Sequence, residues 1–242
     1  MIKTSLIAGS IALSAMASTA AAQGFSGNIG LSYAQPSESE QLSVTEYFGG
    51  LEYSINRNFA VALDIHGFSV ENIDSTLASS TWHFIYHLNE DTSFALFAGS
   101  DIEASEETAG LAAQGVTFAG LEAGTELGEA EAEAYIGFST TDDAQEDFTI
   151  FGASGEYGFA SGFSAIGSAE FISSDVLDQS NLAIGVEYEV NGGPEIYGKI
   201  GRQAIEVGDE DADSTYFEIG ASVSFGNKRG TTFNGRSLFN QF

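Results

Sequence analysis

Glu129, Glu131 and Glu133 stand at every second position, and so do Asp209, Asp211 and Asp213. That spacing brings carboxylates together on one face of an extended strand or within a tight loop. Their oxygens suit a hard divalent cation or a cationic solute. The second triplet has the spacing that opens a calcium loop, yet Ser214 stands where glycine is needed and Gly220 where the bidentate glutamate belongs. It reads as an acidic surface loop, and the first triplet as a solvated wall. His66, His83 and His87 are the only histidines, so any nucleophilic site of the Ser-His kind must use one of them. No nucleophile elbow accompanies them, and His83 and His87, though four positions apart, fall in a predicted strand and not on a helix, so they read as polar side chains and no catalysis is expected. The chain has no cysteine, which excludes a disulfide frame and thiolate metal or redox sites. Neither a cofactor nor a metal is expected.

The elements that must position these groups are strands. From Phe217 to Phe225 every second residue is apolar, and most of those between are polar or small. A period of two gives one apolar and one polar face, and about twelve such runs follow one another from Phe25 to Phe225. The pattern predicts strands over 25–34, 44–55, 59–69, 80–88, 94–103, 115–125, 129–140, 147–158, 163–173, 181–190, 195–206 and 214–225. The phase around Arg202 is open. Each run is near the ~9 to 11 residues with which a tilted strand crosses a bilayer. Short turns are expected at 56–58, 89–93, 126–128, 159–162 and 191–193. Longer polar loops are expected at 35–43, 70–79, 104–114, 141–146, 174–180 and 207–213. Short connections on one rim and long ones on the other predict an all-β fold, a transmembrane antiparallel up-and-down β-barrel of twelve strands. Ten and fourteen are the neighbouring even counts that such boundaries allow.

The ends carry different signals. Lys3, the apolar stretch from Leu6 to Met16 and Ala20-Ala21-Ala22 predict a cleaved signal peptide over residues 1–22, with Gln23 opening the mature chain. No stretch approaches the ~20 apolar residues of a spanning helix, so a membrane form must cross with strands. Net charge is −28, with all 35 acids between residues 23 and 225 against Arg57, Lys199 and Arg202. A field of that sign repels nucleic acid and concentrates cations. Residues 226–242 form a basic tail with Lys228, Arg229 and Arg236. Its Gly, Asn, Ser and Thr content favours a loose extension below the barrel. The other fate is a segment folded back into the lower mouth, where its bases would pair with lumenal carboxylates.

Four motifs, Gly50-Leu51-Glu52-Tyr53, Gly120-Leu121-Glu122-Ala123, Ser154-Gly155-Glu156-Tyr157 and Gly185-Val186-Glu187-Tyr188, each precede a short turn. In this phase the glutamate points inward. The tyrosines, with Phe59, Tyr86, Phe94, Phe163 and Phe225, form a lower aromatic girdle; Tyr33, Tyr47, Trp82, Phe138 and Phe171 form the upper one. The inward set then includes Glu46, Glu52, Asp64, Asp101, Glu103, Glu122, Glu131, Glu133, Glu156, Glu170, Glu187, Glu189 and Glu218, with Lys199 as the one base. These are the expected pore-lining residues, and a lumen so lined should attract cations. A lumen packed shut by side chains is the alternative.

Tyr47-Phe48-Gly49-Gly50-Leu51-Glu52-Tyr53, followed by Asn56-Arg57-Asn58-Phe59-Ala60-Val61, resembles the strand-turn-strand units of bacterial outer-membrane β-barrel and porin-like proteins. Thr215 to Phe225 resembles their last strand, whose final aromatic is the signal read by the barrel-assembly machinery. The chain departs from that family by running on to Phe242. The resemblance implies a Gram-negative outer-membrane channel for passive diffusion of small hydrophilic solutes, in contact with outer-membrane lipids. A structural or adhesive barrel with ion-binding acidic loops is the rival reading, and a lipid-processing enzyme a third.

Overall fold

Apolar–polar alternation closes into a single antiparallel sheet. The computed structural model describes residues 24–37, 43–71, 75–105, 114–140, 147–159, 161–208, 210–226 and 231–239. The expected signal peptide lies outside them, as do Lys228 and Arg229. The strands are β1 (Phe25–Pro36), β2 (Val44–Ser54), β3 (Phe59–Val70), β4 (Ser75–His87), β5 (Thr92–Ser105) and β6 (Gln114–Leu127), then β7 (Ala130–Thr140), β8 (Phe148–Gly158), β9 (Phe163–Ser173), β10 (Leu177–Glu189), β11 (Glu195–Val207) and β12 (Glu210–Gly226). Each pairs with its neighbours in sequence, and β1 pairs with β12 to close the ring. Closure leaves no sheet edge, so every strand satisfies its backbone on both sides without water.

The burial pattern is inverted relative to a water-soluble barrel. Leu31, Ile65, Phe84, Leu96, Leu121, Ile184 and Phe217 are exposed on the outer wall, while Ser32, Asp64, Thr81, His83, Glu122 and Asn181 are buried inside. A continuous apolar belt of this kind is what a bilayer solvates. Register follows from it, because a slip of one residue in β3 would turn Asp64 outward and bring Leu63 and Ile65 in. On the inner wall, rings lie across glycines of the adjoining strand. A Cβ at Gly120 would sit 2.4 Å from Phe97 Cζ, and one at Gly201 would sit 2.2 Å from Tyr216 Cζ. Only glycine leaves the room those rings occupy.

The lower rim carries tight turns. Asn56 Oδ1 accepts from the Asn58 and Phe59 amides at 2.8 and 3.1 Å, and Asn89 Oδ1 accepts from those of Asp91 and Thr92 at 2.8 and 2.7 Å. Between β10 and β11, Asn191 and Gly192 both have positive φ, 53° and 71°, as a type I′ hairpin requires. Just above these turns, Phe25 packs on Tyr53, Phe59 on Tyr86 and Phe163 on Tyr188, which builds the lower girdle.

Four expectations need correction. The loops expected over 70–79, 174–180 and 207–213 are short, because β4, β10 and β12 begin earlier than their hydrophobic alternation does. Above the lipid a paired strand needs no apolar face, so the period of two marks only the crossing portion of each strand. Asp211 and Asp213 therefore lie in β12 rather than in an acidic loop, and Asp209 is outside the described residues. The phase left open around Arg202 is also decided: Arg202 faces outward and pairs with Asp213 at 3.0 Å, with both side chains more than half exposed. Trp82 pairs with Leu63, two outward positions below the level of Tyr47, which pairs with Gly67; it belongs to the middle of the wall and not to the upper girdle. Last, residues 231–239 do not hang below the barrel. They run up through it, because Phe233, Arg236, Leu238 and Phe239 each find a partner on the inner wall.

Candidate lumenal site

The C-terminal segment divides the lumen. At the bottom, Thr231 Oγ1 donates to the Asp91 carbonyl at 3.2 Å. Phe233 packs among Ala60, Ala62, Ile85 and Ala95, with its ring parallel to that of His83. At the top, Leu238 lies against Phe97, Phe118, Ile150 and Ile172, and Phe239 against Val44, Phe68, Val70 and Leu77. The segment thus spans the height of the barrel, held by side chains of β3 to β7 and by apolar clusters that reach from β2 to β9.

Arg236 is the centre of this arrangement. Its Nε and Nη2 donate to Glu122 Oε2 at 3.2 and 3.0 Å, its Nη1 donates to Glu133 Oε1 at 3.2 Å, and its Cζ lies 4.1 Å from the centroid of the Tyr135 ring. Glu133 Oε1 also accepts from Asn234 and Ser154 at 3.1 and 2.9 Å. The side chains of Glu122 and Arg236 are 0 % and 4 % exposed. Two carboxylates and a ring face make a complete guanidinium receptor, since the planar cation offers donors in its plane and charge to the ring above it.

A carboxylate–histidine chain adjoins the receptor. His83 places Nδ1 2.5 Å from Glu122 and Nε2 3.2 Å from Asp64. Nearby, His66 Nδ1 lies 2.6 Å from Glu46. His87 Nδ1 lies 2.9 Å from Ser93 Oγ, but these two residues are 2 % and 0 % exposed and offer a substrate no approach. Among the described residues no cluster of His, Asp and Glu could hold a metal ion.

The other half of the lumen is open. A cavity of about 390 Å³ is bordered by Glu46, Glu131, Glu133, Glu156, Glu170, Glu187, Glu195 and Glu218, with Lys199 and Arg236 as the cations. Lys199 is itself shared, with Nζ 3.5 Å from Glu218 and 4.7 Å from the Tyr197 ring centroid. The remaining residues expected to line a pore lie elsewhere. Asp64, Asp101 and Glu122 are covered by the segment or bonded to it, Glu52 is buried, and Glu103 and Glu189 are exposed near strand ends. Glu195 was missed although it shares the inward phase of Lys199; Ser222 Oγ donates to it at 2.8 Å. Tyr135 was also missed, and no alternation singles out one ring as a platform.

No protein-family model and no curated protein sequence matches the chain. Solved structures of outer-membrane barrels do match its fold. The KdgM porin in complex with disordered oligogalacturonate superposes with a TM-score of 0.58 at 10 % identity, over 82 % of this chain and 99 % of that one. An outer-membrane channel from Pseudomonas putida F1 superposes with a TM-score of 0.55 at 11 % identity, over 83 % and 95 % of the two chains. The fold is that of outer-membrane β-barrel channels.

Proposed function

We propose that this protein resides in a Gram-negative outer membrane and acts as a channel for small hydrophilic solutes, with a preference for cations. The observation that carries the reading is the open half of the lumen, where eight glutamates face a cavity bordered by two bases. Carboxylates around a narrow, low-dielectric opening focus a negative field, which raises the local concentration of cations and repels anions. The apolar outer wall supports contact with outer-membrane lipids. Phe225, the last outward aromatic of β12, is the residue this reading offers to the barrel-assembly machinery.

One observation favours a second reading, a non-conducting structural or adhesive barrel. Residues 231–239 fill part of the lumen, packed on clusters that reach from β2 to β9. Single-channel recording of the purified protein in a planar bilayer separates the two. A conducting, cation-selective pore is expected; an anion-selective reversal potential overturns the preference, and a folded barrel that passes no current overturns the channel.

A further inference from the structure

The closed sheet needs nothing from the segment it holds. Every strand is paired on both sides by another strand, so residues 231–239 complete no edge. Side chains grip their backbone instead. Thr81 and Ser79 donate to the Arg236 carbonyl at 2.7 and 3.1 Å, Thr81 Oγ1 accepts from the Arg236 amide at 3.1 Å, and Asp101 accepts from the Leu238 amide at 2.6 Å. Main-chain hydrogen bonds combined with separate side-chain pockets are the way proteins hold extended peptides.

The wall is also hollowed for this occupant. Small residues face Phe233 from β3 and β5, and a Cβ at Gly124 would lie 2.4 Å from Thr231 Cγ2. Three pockets follow at equal spacing along the segment, an apolar one for Phe233, the guanidinium receptor for Arg236 and a second apolar one for Phe239. The receptor discriminates chemically, because Glu122 Oε2 accepts two donors held side by side on one planar group while Glu133 accepts a third from its other edge, an array an ammonium cannot supply in that geometry.

We propose that this groove is a peptide-binding site selective for a segment with arginine flanked by aromatic residues three positions away on either side. The chain's own residues 231–239 are its resident occupant, and their departure opens the half of the lumen they fill. Only that last step rests on the channel reading. With the segment gone, Asp64, Glu122 and Glu133 would face water and cations in place of a bound guanidinium, so opening also makes the lumen more acidic.

The test uses the full-length protein with Phe233→Ala, Arg236→Gln and Phe239→Ala, which weakens the occupant and leaves the wall intact. A heat-dependent gel shift establishes that the barrel is folded. A fluorescent peptide with the sequence of residues 231–239 should bind this variant saturably, and about tenfold more weakly when its arginine is replaced by glutamine. In bilayers the variant should conduct roughly twofold more than the unmodified protein, and the peptide should reverse the gain. Absence of saturable binding to the folded variant overturns the site. Binding with no change in current upholds the site and overturns the opening step, whereas a folded variant that passes no current at all overturns the channel reading. If the triple variant does not fold, Ser237→Cys serves in its place, as the chain has no other thiol. Excess peptide should then raise labelling by a soluble thiol reagent several-fold, and unchanged labelling overturns the proposal.

Discussion

Arg236 and Glu122 meet through two hydrogen bonds to one carboxylate oxygen, at 3.0 and 3.2 Å, and are separated by 114 positions in sequence. Both side chains are almost wholly removed from water. Breaking such a pair from one side leaves a buried charge without its partner, which costs about 3–5 kcal/mol. Arg236→Ala should therefore lower the thermal midpoint of the folded barrel sharply. Adding Glu122→Gln should recover part of the loss, since the stranded carboxylate is then neutral. Equal and additive losses in this double-mutant cycle would show that the two groups are not coupled.

The ring-on-glycine contacts give a second expectation. Gly201→Ala forces the Tyr216 ring from its place, and with it the 2.8 Å hydrogen bond from Tyr216 to Asn181. A destabilisation of about 1–3 kcal/mol is expected from overpacking of this kind. Shortening the ring with Tyr216→Leu in the same protein should relieve most of it, as measured by denaturant unfolding in detergent.

The outer wall should be intolerant of charge in a way that depends on position. Ile184, 74 % exposed on β10, faces the surroundings near mid-strand. Ile184→Arg should cost about 2–4 kcal/mol and reduce insertion into vesicles. By contrast, Arg202→Gln at the upper end of β11 breaks only an exposed pair with Asp213, an interaction worth about 0–1 kcal/mol. Equal insertion defects for the two variants would contradict the height assigned to them.

Cation preference should reside in the open half of the lumen. Glu131→Gln, Glu156→Gln and Glu187→Gln together should move the reversal potential toward zero, more so at low salt where screening is weaker. Glu133→Gln alone should do less to selectivity and more to stability, because that carboxylate is already held by Arg236, Ser154 and Asn234.

Assembly should depend on Phe225. It ends the outward alternation of β12 opposite Gly27 of β1, where the ring is closed. Phe225→Ala should slow insertion into outer membranes, while removal of residues 240–242 should leave the rate unchanged. The reverse result would assign the assembly signal to Phe242.

The strand plan was legible in the chain because lipid and water impose opposite demands on alternate residues. The period of two in segments such as Phe217 to Phe225 predicted twelve strands and most of the side chains that face inward, while closure of the ring excluded ten and fourteen. It also placed Glu46, Glu131, Glu156 and Glu187 on one surface, since phase is a local property. It could not find the upper ends of β4, β10 and β12, where both faces are solvated and alternation carries no energy.

The fate of the C-terminal segment was decided only by the tertiary structure. Composition made residues 231–239 look like an unattached tail, and nothing local distinguishes Arg236 from a surface arginine. Its place depends on Glu122 and Glu133 converging from adjacent strands, on Tyr135 lying beneath, and on glycine and alanine hollowing the wall opposite. Those are relations between residues more than a hundred positions apart, which exist only once the ring has closed. The sequence by itself determined an acidic barrel; folding divided its interior into a filled half and an open half.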